Sequence, residues 1–323
     1  MWFQIDRHTI MVHAPEESLR WAIDSIPLPL QESPAPANAS ATLRLATCSS
    51  GELKQRAAAA MTRDGLLLNL PASPEMGVAA DLLVGPDGAV FFCEGHGMAS
   101  VSADGARAEV LAAEPDGLPA ASLAASAVLA MVAEFGFSPI HASLVDRDGS
   151  AVMFCGERSR GKSSSCMALA RAGWTVRADD RCFVHTRDER VIVWGGGGRV
   201  SLRPGAATLW PDLAETMERG RSGAAKHLVE AAAIGGHAEA GSVVCGALLF
   251  PEVVGEGPHR VEPMPRADAL SEMLFTTGLA AVPDHAALHF RHLTALIEQT
   301  PCYRLRLGAE MDDLPATIAG ALS

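Results

Sequence analysis

Up to residue 115 the apolar positions come in short alternating runs, at Thr9 to His13, Thr42 to Ala46, Leu66 to Leu70 and Ala89 to Cys93, separated by Pro-, Gly- and Asp-rich turns. Alternation with a period of two marks half-buried strands, so residues 1–115 are expected to form a strand-rich N-terminal module. The Pro/Ala/Ser-rich piece from Glu32 to Ala41 reads as an exposed loop. The cluster Glu114-Pro115-Asp116-Gly117 reads as turn chemistry at a domain boundary. After it, the run from Leu118 to Phe137 is apolar but built largely of Ala and Ser. Glu134 and the lack of a basic flank favour a buried helix over a membrane span.

From residue 116 to 323 the pattern changes. It predicts a strand at Ala151 to Cys155, a glycine-punctuated loop, a helix over Lys162 to Ala172, and strands at Trp174 to Ala178, Cys182 to Thr186 and Val191 to Trp194. A strand at Val243 to Phe250, helices near Arg266 to Phe275 and His285 to Gln299, and a last strand at Tyr303 to Leu307 follow. That order gives an α/β fold, a mixed sheet with flanking helices. The run Gly195 to Gly198 reads either as a mobile turn or as a place where a ligand or backbone passes closely.

Charge narrows the partners. The chain carries a formal net charge of -12, so there is no global basic field for nucleic acid or an anionic membrane, and neither partner is expected. Seven scattered cysteines, an odd number with no CxxC pair, fit reduced thiols in a cytoplasmic protein. Met1 to Pro15 mixes Asp6, Arg7 and His8 into its apolar residues, unlike a signal peptide.

The candidate chemistry lies in Gly156-Glu157-Arg158-Ser159-Arg160-Gly161-Lys162-Ser163, which matches GxxxxGK[ST] between a predicted apolar strand and a predicted helix. Such a loop turns backbone N–H groups, including that of Ser164 at the helix start, toward phosphate oxygens. Lys162 then reaches the terminal phosphates, and the Ser163 hydroxyl ligates Mg²⁺, so ATP and Mg²⁺ are the expected ligands. Arg158, Ser159 and Arg160 stand where small residues are usual, and Ser159 is expected to need a positive φ. Seventeen residues after Lys162, Asp179-Asp180 ends the next predicted strand. A right-handed crossover returns that pair to the edge of the sheet that carries the loop. Of two such carboxylates, one can hold Mg²⁺ and the other can take a proton from an attacking hydroxyl. Read alone, His141, a histidine entering a buried strand, is better explained as a satisfied structural residue.

Three segments together, Ile140-His141-Ala142-Ser143-Leu144-Val145-Asp146, the loop 156–163 and Arg177-Ala178-Asp179-Asp180-Arg181, resemble the C-terminal catalytic domain of HPr kinase/phosphorylase in order and spacing over about residues 138–187. The resemblance implies a P-loop, HPr-kinase-like fold and an ATP-dependent serine kinase that self-associates. It implies Asp179 as the base that activates the acceptor, His141 beside it, and Ser163 with Asp180 at the metal. The family's Glu-x-Arg-Gly-Leu-Gly signature is absent: the region reads Gly195 to Arg199, then Ser201-Leu202-Arg203-Pro204-Gly205. This puts phosphorolysis in doubt and leaves Arg203 as a phosphate or acceptor contact. Leu202 to Gly205, Leu209 to Asp212 and Pro301 to Leu305 look more like the HPr-kinase-related enzymes of peptide natural products, some of which phosphorylate a lasso-peptide precursor. The implied partner is a peptide or small protein with an acceptor serine. A nucleotide-binding regulator without transfer and a small-molecule hydroxyl kinase stand as alternatives.

Arg158, Arg160, Arg171, Arg177 and Arg181 cluster around the loop and acidic pair, either for phosphate or an acidic acceptor or as a solvated face. Lys226 and His227 read as linker or as a mobile acceptor-binding loop. Ile26 to Leu30 is a faint echo of the related kinases.

Overall fold

Alternating burial along the first strands builds a nine-stranded sheet in the computed structural model, which describes residues 1–14, 31–34, 39–70, 78–114, 117–213, 227–277 and 283–322. Ile26 to Leu30, Lys226 and the centre of the Glu32 to Ala41 segment lie outside the described residues. The chain divides into two compact units, Met1–Phe137 with Ala281–His285, and Ser138–Ala280 with Ala286–Ser323.

In the first unit the strands are β1 (Trp2–Ile5), β2 (His8–His13), β3 (Gln31–Glu32), β4 (Ala41–Thr47), β5 (Leu66–Leu70), β6 (Ala80–Gly85), β7 (Gly88–Cys93), β8 (Gly97–Ser102) and β9 (Arg107–Ala112). Their order is β3-β1-β2-β4-β9-β8-β7-β6-β5. Helix α1 (Ser50–Met61), whose Ser49 cap accepts the Glu52 N–H at 3.2 Å, packs Leu53 and Ala60 against Leu83, Val90, Met98 and Leu111. Helix α2 (Leu118–Glu134) is the predicted Ala-rich helix. It lies on β4, β7, β8 and β9 with Leu123, Ala124, Ala127 and Val128 buried. Because its small side chains fit it to that sheet, α2 belongs to the N-terminal unit. The division therefore falls after Phe137, where turn chemistry at residues 114–117 had suggested an earlier cut. Among the described residues no helix is long and apolar enough to cross a membrane.

In the second unit β10 (Ser138–Ile140), β11 (Ser143–Arg147), β12 (Ser150–Phe154), α3 (Lys162–Arg171), β13 (Thr175–Ala178), β14 (Cys182–Arg187), β15 (Arg190–Gly195) and β16 (Arg199–Leu202) follow in sequence. Then come α4 (Ala206–Leu209), β17 (His227–Glu230), β18 (His237–Ala238), β19 (Gly241–Val243), β20 (Cys245–Val253), β21 (Arg260–Pro263), α5 (Arg266–Thr277), α6 (Pro283–Gln299), β22 (Cys302–Leu307) and α7 (Leu314–Leu322). The central sheet is mixed, in the order β18-β13-β11-β12-β20-β22-β21. Alternate residues of its strands enter two cores. Val145, Val152, Phe154, Val176, Leu249 and Leu305 pack with α3 and α7 on one face. Leu144, Met153, Leu248 and Phe250 pack with α5, α6 and the sheet β10-β14-β15-β19 on the other. Burial on both faces explains why β12 and β20 read as continuous apolar runs.

Strands β12, β20 and β22 run parallel, and β11 is antiparallel to both β12 and β13. The C-terminal ends of β12, β13, β20 and β22 therefore share one edge with the N-terminal end of β11. In such sheets that edge is where ligands bind.

Candidate functional site

The loop from Gly156 to Ser163 leaves the end of β12 on this edge and opens α3. Its backbone takes positive φ at Gly156 (119°), Ser159 (63°) and Gly161 (102°), so the strain expected at Ser159 is present. Gly161 is required twice over. Its conformation is left-handed, and a Cβ there would clash with Leu307 Cδ1. Lys162, 6% exposed, folds back so that Nζ donates to the carbonyls of Gly156 (2.6 Å) and Glu157 (2.9 Å). The Gly161 N-cap supplies no side-chain acceptor to the first turn of α3, which leaves that turn's N–H groups suited to an anion.

The return of β13 to the same edge is realised, with β11 lying between β12 and β13. Asp179, 7% exposed, is enclosed by donors. The hydroxyls of Ser143 and Ser163 both donate to its Oδ1, the latter at 3.1 Å, and the Ser201 N–H donates to Oδ2 at 2.7 Å. Asp180 turns away through a left-handed φ of 71°. Its Oδ1 stands 3.4 Å from His141 Nδ1, while the Asp180 carbonyl accepts from the same nitrogen at 2.7 Å. A carbonyl only accepts, so Nδ1 carries a proton. Burial lowers the affinity of Arg181 for its proton, and the neighbouring Asp180 offsets this. Burial, followed by the charge of Asp179, pushes the Cys166 thiol well above its usual range.

Most of the expected residues thus meet on one edge: the loop, Lys162, Ser163, Asp179, Asp180 and His141. Ser164 stands in the first turn of α3, and Arg203 is exposed just beyond β16, the strand whose Ser201 N–H reaches Asp179. The arginines separate. Arg160 pairs with Glu157 within the loop at 3.2 Å. Arg171 pairs with Asp212 (2.7 Å) at the far end of α3, and Arg177 pairs with Asp146 (2.6 Å) and Glu239 (3.0 Å). Those last two are structural ion pairs. His227 lies in β17, opposite Leu202, rather than in a loop. The glycine run is a close approach of backbone: a Cβ on Gly195 would overlap the Arg177 carbonyl, which accepts from Gly197 N–H at 2.7 Å.

Sequence reasoning missed Ser143 and the Ser201 N–H as partners of Asp179. Nothing in their spacing signals this, because β11 and β16 reach the edge only through sheet pairing. Among the described residues no group of three or more His, Cys, Asp or Glu is arranged to hold a metal. Mg²⁺ in phosphoryl transfer takes one or two protein oxygens with phosphate oxygens and water, and Ser163 with Asp179 offers such a pair.

Compared with protein-family models, the chain matches none. Over 54 residues it is 41% identical to HPr kinase/phosphorylase of Limosilactobacillus reuteri, in strains DSM 20016 and JCM 1112; that stretch is 17% of this chain and 17% of each relative. The match thus spans only about a sixth of the relatives' length. A solved structure of the Hpr(Ser) kinase/phosphatase from Coxiella burnetii aligns with 57% of this chain and 92% of that chain, at 13% identity and a TM-score of 0.29.

Proposed function

We propose that this protein is an HPr-kinase-like, ATP-dependent kinase that transfers the terminal phosphate to a serine hydroxyl of a peptide or small protein. The observation that carries the reading is the meeting, on one sheet edge, of a GxxxxGKS loop with two carboxylates in different settings. When bound, Mg²⁺-ATP would supply the phosphoryl group and the charge that neutralises its oxygens. The loop N–H groups and Lys162 would hold the phosphates, and Ser163 with Asp179 would hold the ion.

The resemblance implies Asp179 as base and Asp180 at the metal; the surroundings favour the reverse. Asp179 already accepts three hydrogen bonds, one from the hydroxyl expected at the ion, which suits a metal-side carboxylate. Asp180 stands beside His141 and is the better base. As the acceptor oxygen bonds to the terminal phosphorus and the bridging P–O bond breaks, the acceptor's proton passes to Asp180. His141, whose Nδ1 lies against the Asp180 carbonyl and Oδ1, would hold that carboxylate in position. A lasso-peptide precursor is the acceptor we favour within this class, on the looser motifs at Leu202 to Gly205 and Pro301 to Leu305. The seven free thiols agree with a cytoplasmic setting.

Mass spectrometry tests the reading. The protein is incubated with Mg²⁺-ATP and candidate serine-ended peptides, in parallel with Lys162→Ala. A serine gaining one phosphate with wild type and not with the variant is expected. ATP binding without transfer to any peptide or protein in a fractionated lysate would move the function to nucleotide-dependent regulation.

A further inference from the structure

On the proposed reading the terminal phosphate must lie toward β13, where Asp179, Asp180 and His141 gather. The nucleoside of the same molecule then extends from the other side of the loop, over the ends of β20 and β22. At that place the surface changes character. Val253, 59% exposed, ends β20, and Val254, 42% exposed, follows it. Both are large apolar side chains left open, and Val253 is the one that stands beside the loop. A Cβ placed on Gly161 would lie 3.6 Å from Val253 Cγ2 and 3.9 Å from Pro251 Cβ, so this apolar surface is continuous with the phosphate-loop backbone.

The shelf is built, since its backbone is clamped to β22. The N–H groups of Val254 (2.9 Å) and Gly255 (3.2 Å) both donate to the Leu307 carbonyl. Behind it, buried His259 accepts the Gly308 N–H on Nδ1 (3.0 Å) and donates from Nε2 to the Glu310 carbonyl (2.7 Å). Both ring nitrogens of His259 thus tie the end of the turn between β20 and β21 to the residues that follow β22.

We infer that the Val253–Val254 shelf seats the nucleobase of the bound nucleotide, making this the subsite that distinguishes a nucleoside triphosphate from a bare polyphosphate. The inference rests on the phosphate-loop reading. A planar heteroaromatic ring buries apolar faces against such side chains, and the phosphates fix its distance from the loop.

The test compares the Mg²⁺ complexes of ATP and inorganic tripolyphosphate by calorimetry, on wild type, the double variant Val253→Ser/Val254→Ser, the conservative Val253→Ile/Val254→Ile, and Lys162→Ala. Both valines are exposed, so neither change threatens the fold. Wild type is expected to bind ATP more tightly than tripolyphosphate. The serine variant should lose about tenfold for ATP, the effect of uncovering roughly 50–60 Å² of apolar contact, with tripolyphosphate unchanged. The isoleucine variant should bind ATP as wild type does. Unchanged ATP affinity in the serine variant, or equal losses for both ligands, would overturn the base seat. Failure of wild type to bind either ligand, or full binding by Lys162→Ala, would instead overturn the phosphate-loop reading and this inference with it.

Discussion

Asp179 and Asp180 are neighbours in the chain with opposite surroundings. One carboxylate is buried and saturated by Ser143, Ser163 and the Ser201 N–H, and the other is turned by a left-handed backbone toward His141. Their substitutions should therefore separate. Asp180→Asn is expected to bind Mg²⁺-ATP normally and to lose 10²-fold or more in transfer, roughly the contribution of a positioned general base. Asp179→Asn should instead raise the Mg²⁺ concentration needed for half-maximal nucleotide binding. Titrations of Mg²⁺ against a fluorescent ATP analogue, with single-turnover transfer, read both effects. Normal Mg²⁺ dependence in Asp179→Asn would return that residue to the role of base. Which aspartate has which surroundings was not legible in the sequence, because the partners of Asp179 come from β11 and β16, 36 and 22 residues away.

At the scale of elements, the predicted strands around the loop and the two late helices are found within a few residues of their expected ends. Strong periodicity and the flanking Gly and Pro residues mark them. Helices α1 and α7 were not anticipated: α1 buries only Leu53, Ala57 and Ala60, and α7 is a short apolar run late in the chain. Helix α6 brings a buried device of its own. The Ser138 hydroxyl and His292 Nδ1 lie 2.8 Å apart, and burial, with His185, His289 and Arg291 nearby, lowers the His292 pKa from 6.5 to about 4. Burial lowers His289 as well. These rings are neutral when folded, whereas the unfolded chain takes up protons below pH 6.5. Stability is therefore full above that pH and falls as pH drops toward about 4. For His292 alone the loss approaches about 3 kcal/mol. Urea denaturation between pH 7 and 4 is expected to show this slope and to show it reduced in His292→Gln. An unchanged slope in that variant would assign the acid sensitivity to other groups.

For the whole molecule, the cysteines carry a simple expectation. All seven are free, and all but Cys48 are buried. Burial raises the thiols of Cys93 to about 11 and Cys245 to about 12. Ellman's reagent should therefore label at most one thiol in the native protein and all seven after denaturation, with or without reductant. Rapid native labelling of several would contradict the packing.

The sequence by itself determined the mixed α/β character of the chain beyond its strand-rich N-terminal part, the loop between an apolar strand and a helix, and the candidates for the site. Each of these is written locally, in periodicity, in glycine punctuation and in a short motif whose geometry needs few neighbours. Tertiary structure alone decided that β11 lies between β12 and β13, that Ser143 and Ser201 close on Asp179, that Arg171 and Arg177 are spent on Asp212, Asp146 and Glu239, and that α2 packs on the first sheet. Those outcomes depend on strand pairing and side-chain packing between segments far apart in the chain, and no local pattern encodes such long-range contacts.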